Sequence, residues 1–114
     1  MKLQIEGQHL RVRIDEDELA LLLADGVVTA RTQFADAFAL GVELRLTHAN
    51  VAKFAGQASG WTIDLPQAAV REHASRLPTR EGLRFILGES GSEDELTLLF
   101  DVDVRDSVRR RKLS

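Results

Sequence analysis

The sequence predicts an α+β fold, mainly antiparallel sheet or barrel, built from two tandem ββαββ units related by a pseudo-two-fold, each with one short helix. Three observations carry that expectation. Apolar and polar residues alternate in several short runs in each half, the period of a half-buried strand. Each half also holds one stretch where apolar residues switch to the i, i+3, i+4 spacing of an amphipathic helix. Finally, IEGQHLRVRID at 5–15 is echoed 49 positions later by FAGQASGWTID at 54–64, which sets Gly7-Gln8 on Gly56-Gln57 and Ile14-Asp15 on Ile63-Asp64.

The first elements are a hairpin. Leu3 and Ile5 alternate with Lys2, Gln4 and Glu6, and after Gly7-Gln8 the residues Leu10, Val12 and Ile14 alternate with Arg11 and Arg13. The period then changes at Asp15-Glu16-Asp17-Glu18. A carboxylate at the N-cap with another three residues on is the capping-box spacing, and all four charges sit at the positive end of the helix dipole. Leu19, Leu22 and Leu23 make the inward stripe of a helix over 16–24, which Asp25-Gly26 ends because glycine tolerates the left-handed position there. Val27 to Phe34 and Phe38 to Leu46 then read as two more strands around a short turn at Ala35-Asp36.

The second half repeats the order. Lys53 to Gly56 and Gly60 to Leu65 are strands, with Trp61, Ile63 and Leu65 on one face. Pro66 falls in the first turn of a helix over roughly 66–76, where its missing amide is harmless. Val70, His73, Ala74 and Leu77 form the inward stripe, and Leu77-Pro78 stops it. Strands at Leu83 to Leu87 and Leu96 to Val104 follow, joined by a turn over Glu89 to Asp94. Gly26 comes 12 residues after Ile14 and Gly82 19 after Ile63, so the second unit reads as seven residues longer at its helix exit. The expected domain is 1–105, with repeats at about 2–47 and 51–104 and a flexible basic tail over 106–114.

Length and charge narrow the function classes. A chain of 114 residues builds one core without staples, and the absence of cysteine removes disulfides, thiolate metal clusters and thiol nucleophiles. The first residues alternate instead of forming a signal-peptide core, and no apolar run spans a bilayer, so the expectation is a cytoplasmic protein with no membrane partner. A net charge of −3 supplies no global attraction to nucleic acid.

No catalytic constellation stands out. His9, His48 and His73 lack metal-ligand spacing, and His73, on an apolar helix stripe, reads as a satisfied, half-buried imidazole. The four carboxylates at 15–18 are explained by capping. Ser59-Gly60 and Ser90-Gly91-Ser92 are turn chemistry without a GxSxG context, and Gly88 to Gly91 lacks the lysine of a phosphate loop. The sequence therefore leans away from an enzyme and calls for no metal and no cofactor. What remains is a set of outward arginines: Arg11 and Arg13 on one strand face, Arg45 beside Glu43 on another, and Arg84. These read as solvated sheet surface, or as a surface for a small anionic ligand or a partner protein. The run Arg109-Arg110-Arg111-Lys112 reads as a solubilising end. Phe100, Val102 and Val104 read as an edge strand suited to pairing with a second copy in a homodimer.

The opening Lys2-Leu3-Gln4-Ile5-Glu6-Gly7, followed by Leu10-Arg11-Val12-Arg13 and by Ile63-Asp64-Leu65-Pro66 before the second helix, resembles a family of small bacterial proteins of unknown function. That resemblance covers the chain to about Phe100, implies a domain of the predicted kind and supplies no active-site residue. The segment Trp61-Thr62-Ile63-Asp64-Leu65-Pro66 through Leu83-Arg84-Phe85 is also similar to swapped-hairpin barrel regulators, in which two such units make one barrel. The second resemblance implies, as the alternative to a binding or interaction protein, a nucleic-acid-binding transcriptional regulator. An Arg11/Arg13 face would then make the phosphate contacts.

Overall fold

In the computed structural model, residues 1–104 are described, and the basic tail expected at 106–114 lies outside them. The elements follow the expected order: β1 (Lys2–Glu6), β2 (His9–Asp15), α1 (Glu16–Asp25), β3 (Val27–Phe34), β4 (Phe38–Thr47), β5 (Lys53–Gln57), β6 (Gly60–Pro66), α2 (Gln67–Ser75), β7 (Leu83–Leu87) and β8 (Leu96–Asp103). They form two four-stranded sheets, ordered β1-β2-β8-β7 and β3-β4-β6-β5. Among the described residues the sheets are open and no barrel closes. Four of the strand pairs are antiparallel hairpins, and the pair at the centre of each sheet, β2 with β8 and β4 with β6, is parallel.

Each half therefore gives one hairpin to each sheet. β1-β2 joins β7-β8 from the other half, and β5-β6 joins β3-β4. A half alone would expose the apolar faces of two separate hairpins, and an isolated hairpin is marginal in water. Exchange completes both sheets and turns those faces toward one core. Leu10, Val12 and Ile14 of β2 and Leu98, Phe100 and Val102 of β8 are buried from one sheet, with Val42, Leu44, Ile63 and Leu65 from the other. Burying one such side chain contributes roughly 1.5–3 kcal/mol, so this interleaved set outweighs every surface ion pair.

The registers show how the halves correspond, and they correct the 49-residue offset. From Lys2 to Lys53, His9 to Gly60 and Glu16 to Gln67 the step is 51. The parallel registers agree: Leu10↔Leu98, Val12↔Phe100 and Ile14↔Val102 in one sheet become Trp61↔Val42, Ile63↔Leu44 and Leu65↔Leu46 in the other, a step of 51 along β2/β6 and 56 along β4/β8. An error of two residues is invisible to a period-2 pattern, since it moves each side chain along the strand without changing its face. The second hairpin accordingly turns at Ala58-Ser59, while Gly56 lies within β5 opposite Trp61. Matching β3 to β7 takes a step of 55 (Val28↔Leu44 against Leu83↔Phe100), so the second helix exit is longer by four residues and not by seven.

The helices start and stop for local reasons. Asp15 caps α1 by accepting from the Glu18 amide at 2.7 Å, and the Glu18 side chain accepts from the Asp15 amide at 3.1 Å. Gly26 closes the helix at φ 77° and donates to the Leu22 carbonyl. Pro66 is the N-cap of α2 and the last residue of β6, one position before the helical turn expected for it. Leu19 and Leu22 are buried from α1, and Val70 and His73 occupy the corresponding places on α2. The two helices meet where Arg71 donates to the Leu23 carbonyl at 3.2 Å, satisfying an acceptor in the last turn of α1.

β8 is not the edge strand expected from Phe100, Val102 and Val104: it lies between β2 and β7, and the edges are β1, β7, β3 and β5. The apolar alternation of a buried inner strand is the same as that of an edge, so sequence pattern alone does not separate them. No helix among the described residues is long and apolar enough to cross a membrane.

Candidate functional site

The four arginines divide between the sheets. Arg11 and Arg13 lie on the outer face of β2 and converge on one carboxylate, Asp101 of β8: Arg11 Nε donates to Asp101 Oδ2 at 3.0 Å and Arg13 Nε to Oδ1 at 3.1 Å. Asp101 is 7 % exposed. The loop between α2 and β7 helps to cover it, for a Cβ placed on Gly82 would stand 2.8 Å from the Phe100 carbonyl oxygen and 3.1 Å from Asp101 Cβ. Arg84 is exposed on β7 opposite Leu99, on the same outer face as Arg11.

Arg45 belongs to the other sheet, where it grips Asp64 through two donors at 2.8 and 3.1 Å. That contact raises the pKa of the guanidinium above its ordinary value, chiefly through the hydrogen bond to Asp64 and then its charge. The arginines thus do not meet in one cradle, and three of them already hold carboxylates from their own chain.

His73 is buried to 1 % exposure instead of half-exposed, and neither ring nitrogen has a hydrogen-bond partner among the described residues. Burial, reinforced by the nearby charge of Arg76, lowers its pKa from the ordinary value; Glu72 and Asp101 act in the opposite direction. A neutral, unpaired imidazole in the core is a stability cost and has no access to a substrate. Among the described residues no group of three His, Cys, Asp or Glu is placed to hold a metal ion.

The feature that sequence reasoning missed is apolar. Between the two sheets, on the side where β1 and β3 are both edges, the core continues into an open groove of about 310 Å³. β1 supplies Leu3 and Ile5 with Met1 before it, β3 supplies Ala30, Thr32 and Phe34, β4 supplies Leu40 and Val42, and Trp61 of β6 also lines the groove. At its rim Ile5 is 66 %, Phe34 45 % and Phe38 57 % exposed, and the two phenylalanine rings lie 5.1 Å apart between centroids. Trp61 is held from behind by Phe54, 5.4 Å away, and donates its indole N–H to the Ala58 carbonyl at 3.2 Å.

The chain contains its own control for this groove. The registers map Ala30 onto Phe85 and Thr32 onto Leu87, and both of these larger residues pack on the core, Leu87 at 8 % exposure. Ile5 maps onto Gly56. Continued past the strand ends, the same steps carry Phe34 onto Glu89 and Phe38 onto Asp94, both exposed. At these matched positions one mouth carries Phe85 and Leu87 inside and the acids Glu89 and Asp94 beyond the strand ends, whereas the other carries Ala30 and Thr32 inside and Phe34 and Phe38 at its rim. The signal was present in the letters as small residues at 30 and 32 inside an apolar strand face. Reading it required the 51- and 55-residue steps that only the pairing supplies. Set against models of known protein families the chain matches none, and no curated protein matches it.

Proposed function

We propose that this protein works as a binding or interaction protein and that the open mouth between β1 and β3-β4 is its contact surface. The observation that carries the reading is the contrast between the two corresponding mouths. An exposed cluster of Ile5, Phe34 and Phe38 is costly in water, and exposed apolar patches of this kind mark contact sites. The occupant the groove suits is an apolar side chain or extended apolar segment, because its lining offers few polar groups. The nucleic-acid alternative draws less support, since Arg11, Arg13 and Arg45 are engaged by Asp101 and Asp64. We also read the halves as copies of one ancestral ββαββ unit in a bacterial protein related to the small family described above; their shared registers support the common origin. A cytoplasmic setting belongs to the same proposal and is in keeping with a cysteine-free chain.

Trp61 is the single tryptophan and lines the groove, so it reports on the site directly. Titration with the apolar dye anilinonaphthalene sulfonate should produce energy transfer from Trp61 in the native chain. Filling the groove with the residues of the other mouth, Ala30→Phe with Thr32→Leu, should weaken binding at least about tenfold, about 1.4 kcal/mol. Undiminished transfer in the filled variant would remove the groove as the site.

A further inference from the structure

We propose that the occupant of the open mouth is a second copy of this chain, joined through antiparallel pairing of β3 with its counterpart. This rests on the reading of the mouth as a contact surface and goes further by naming the partner. The four edge strands are unequally protected. β1 carries Lys2 and Glu6 in five residues, β5 begins with Lys53 and is bent by Gly56 at φ 112°, and β7 is five residues long and closed by Gly88. β3 runs for eight residues, VVTARTQF, with no proline, no glycine and one charge. A long, regular, nearly uncharged edge is the type that pairs with another chain unless something covers it.

A two-fold contact must be complementary to itself, and β3 meets that condition in a register centred on Thr32. With the axis at Thr32, each Phe34 stands opposite Ala30 of the other copy on the groove side, large against small. On the outer side Arg31 stands opposite Gln33. Moving the axis to Arg31 would set two guanidinium groups face to face, which is destabilising. The rim phenylalanines of each copy then cover the groove of the other, and the sheet of β3-β4-β6-β5 continues through the axis as eight strands.

The area is adequate for a moderate dimer. Aromatic side chains bury roughly 150–250 Å² each when fully enclosed, and Phe34 and Phe38 are about half exposed now. With Ile5, the outer side chains of β3 and its backbone edge, each copy gives up roughly 600 Å², near the lower limit of about 1,200 Å² in total for specific complexes. An interface at this lower limit belongs with weak, reversible contacts, and the expected dissociation constant is on the order of micromolar.

The test is sedimentation velocity of the full chain from low micromolar to sub-millimolar concentration, alongside cysteine cross-linking. The native chain should shift from monomer to dimer across that range. Phe34→Glu with Phe38→Asp, which copies the polar rim of the other mouth at exposed positions, should raise the dissociation constant at least tenfold while thermal unfolding stays cooperative. The chain has no native cysteine, so Thr32→Cys provides an independent readout: a residue on the two-fold meets itself within disulfide range. Mild oxidation should then yield covalent dimers that Ala55→Cys, on the opposite edge, does not give. A native chain that stays monomeric throughout, a dimer unaffected by the rim substitutions, or equal cross-linking at both positions would each overturn the proposal. A monomer that still takes up the dye at Trp61 would leave the mouth as a contact surface and remove only the second copy; a monomer that takes up no dye would remove both.

Discussion

Arg13 stands directly opposite Asp101 in the parallel register of β2 and β8, and their ion pair recurs in the other sheet with the charges exchanged. The steps of 51 and 56 carry Arg13 onto Asp64 and Asp101 onto Arg45, which pair at 2.8 Å. Each parallel junction is thus locked on its outer face by a carboxylate facing a guanidinium across the pair, on β8 and β2 in one sheet and on β6 and β4 in the other. Only Asp101 is nearly buried and serves two arginines, so the two locks differ in weight. Asp101→Asn should destabilise the fold by about 1–3 kcal/mol because it leaves Arg11 and Arg13 facing a neutral amide. Asp64→Asn, at the more exposed pair, should cost clearly less. Exchanging both members, Arg45→Asp with Asp64→Arg, should recover most of what Asp64→Arg alone loses. Urea unfolding of the variants measures all of these.

His73 occupies the α2 place that Leu22 holds on α1, and it brings two unpartnered nitrogens into the core. His73→Leu should therefore stabilise the protein by about 1–2 kcal/mol at neutral pH. The pH dependence has a definite sign. Because the folded pKa is lowered, the unfolded chain takes up the proton first as pH falls below the ordinary histidine value of 6.5, and stability is lost over that interval. Above it both states are neutral and His73 adds no slope. Arg76, Glu72 and Asp101 all act on the ring, so the comparison should be made with those three unchanged. Thermal melts between pH 7.5 and about 5 should show a drop in the native protein that His73→Leu reduces.

Gly56 carries a backbone requirement within a strand. It sits at φ 112°, and a Cβ there would collide with the Gly60 carbonyl. Gly56→Ala should cost about 1–3 kcal/mol and disturb the Phe54-Trp61 contact next to it. The matching substitution Ile5→Ala, at an exposed position, should be tolerated within about 0.5 kcal/mol. Unfolding monitored by Trp61 emission separates the two.

The element order was legible because each unit alternates with period 2 until Asp15 or Pro66 and then changes to a helical period. The capping box at Asp15 and Glu18 and the stop at Gly26 were legible for the same local reason. Strand partners were not. Nothing in the letters of Leu96 to Asp103 distinguishes an inner strand paired in parallel with His9–Asp15 from an edge, because pairing is decided by the other half of the chain. The arginine rows were visible but their partners were not: Asp101 lies 88 residues from Arg13. The groove was the least legible feature, being defined by small side chains at Ala30 and Thr32 whose meaning depends on Phe85 and Leu87.

Amide chemical-shift mapping during the dye titration tests the asymmetry of the two mouths most directly. Perturbations should concentrate at Leu3, Ile5, Ala30, Thr32 and Leu40 and leave Phe85, Leu87 and Leu96 close to their free positions. Comparable shifts at both sets, or shifts centred on the filled mouth, would contradict the account.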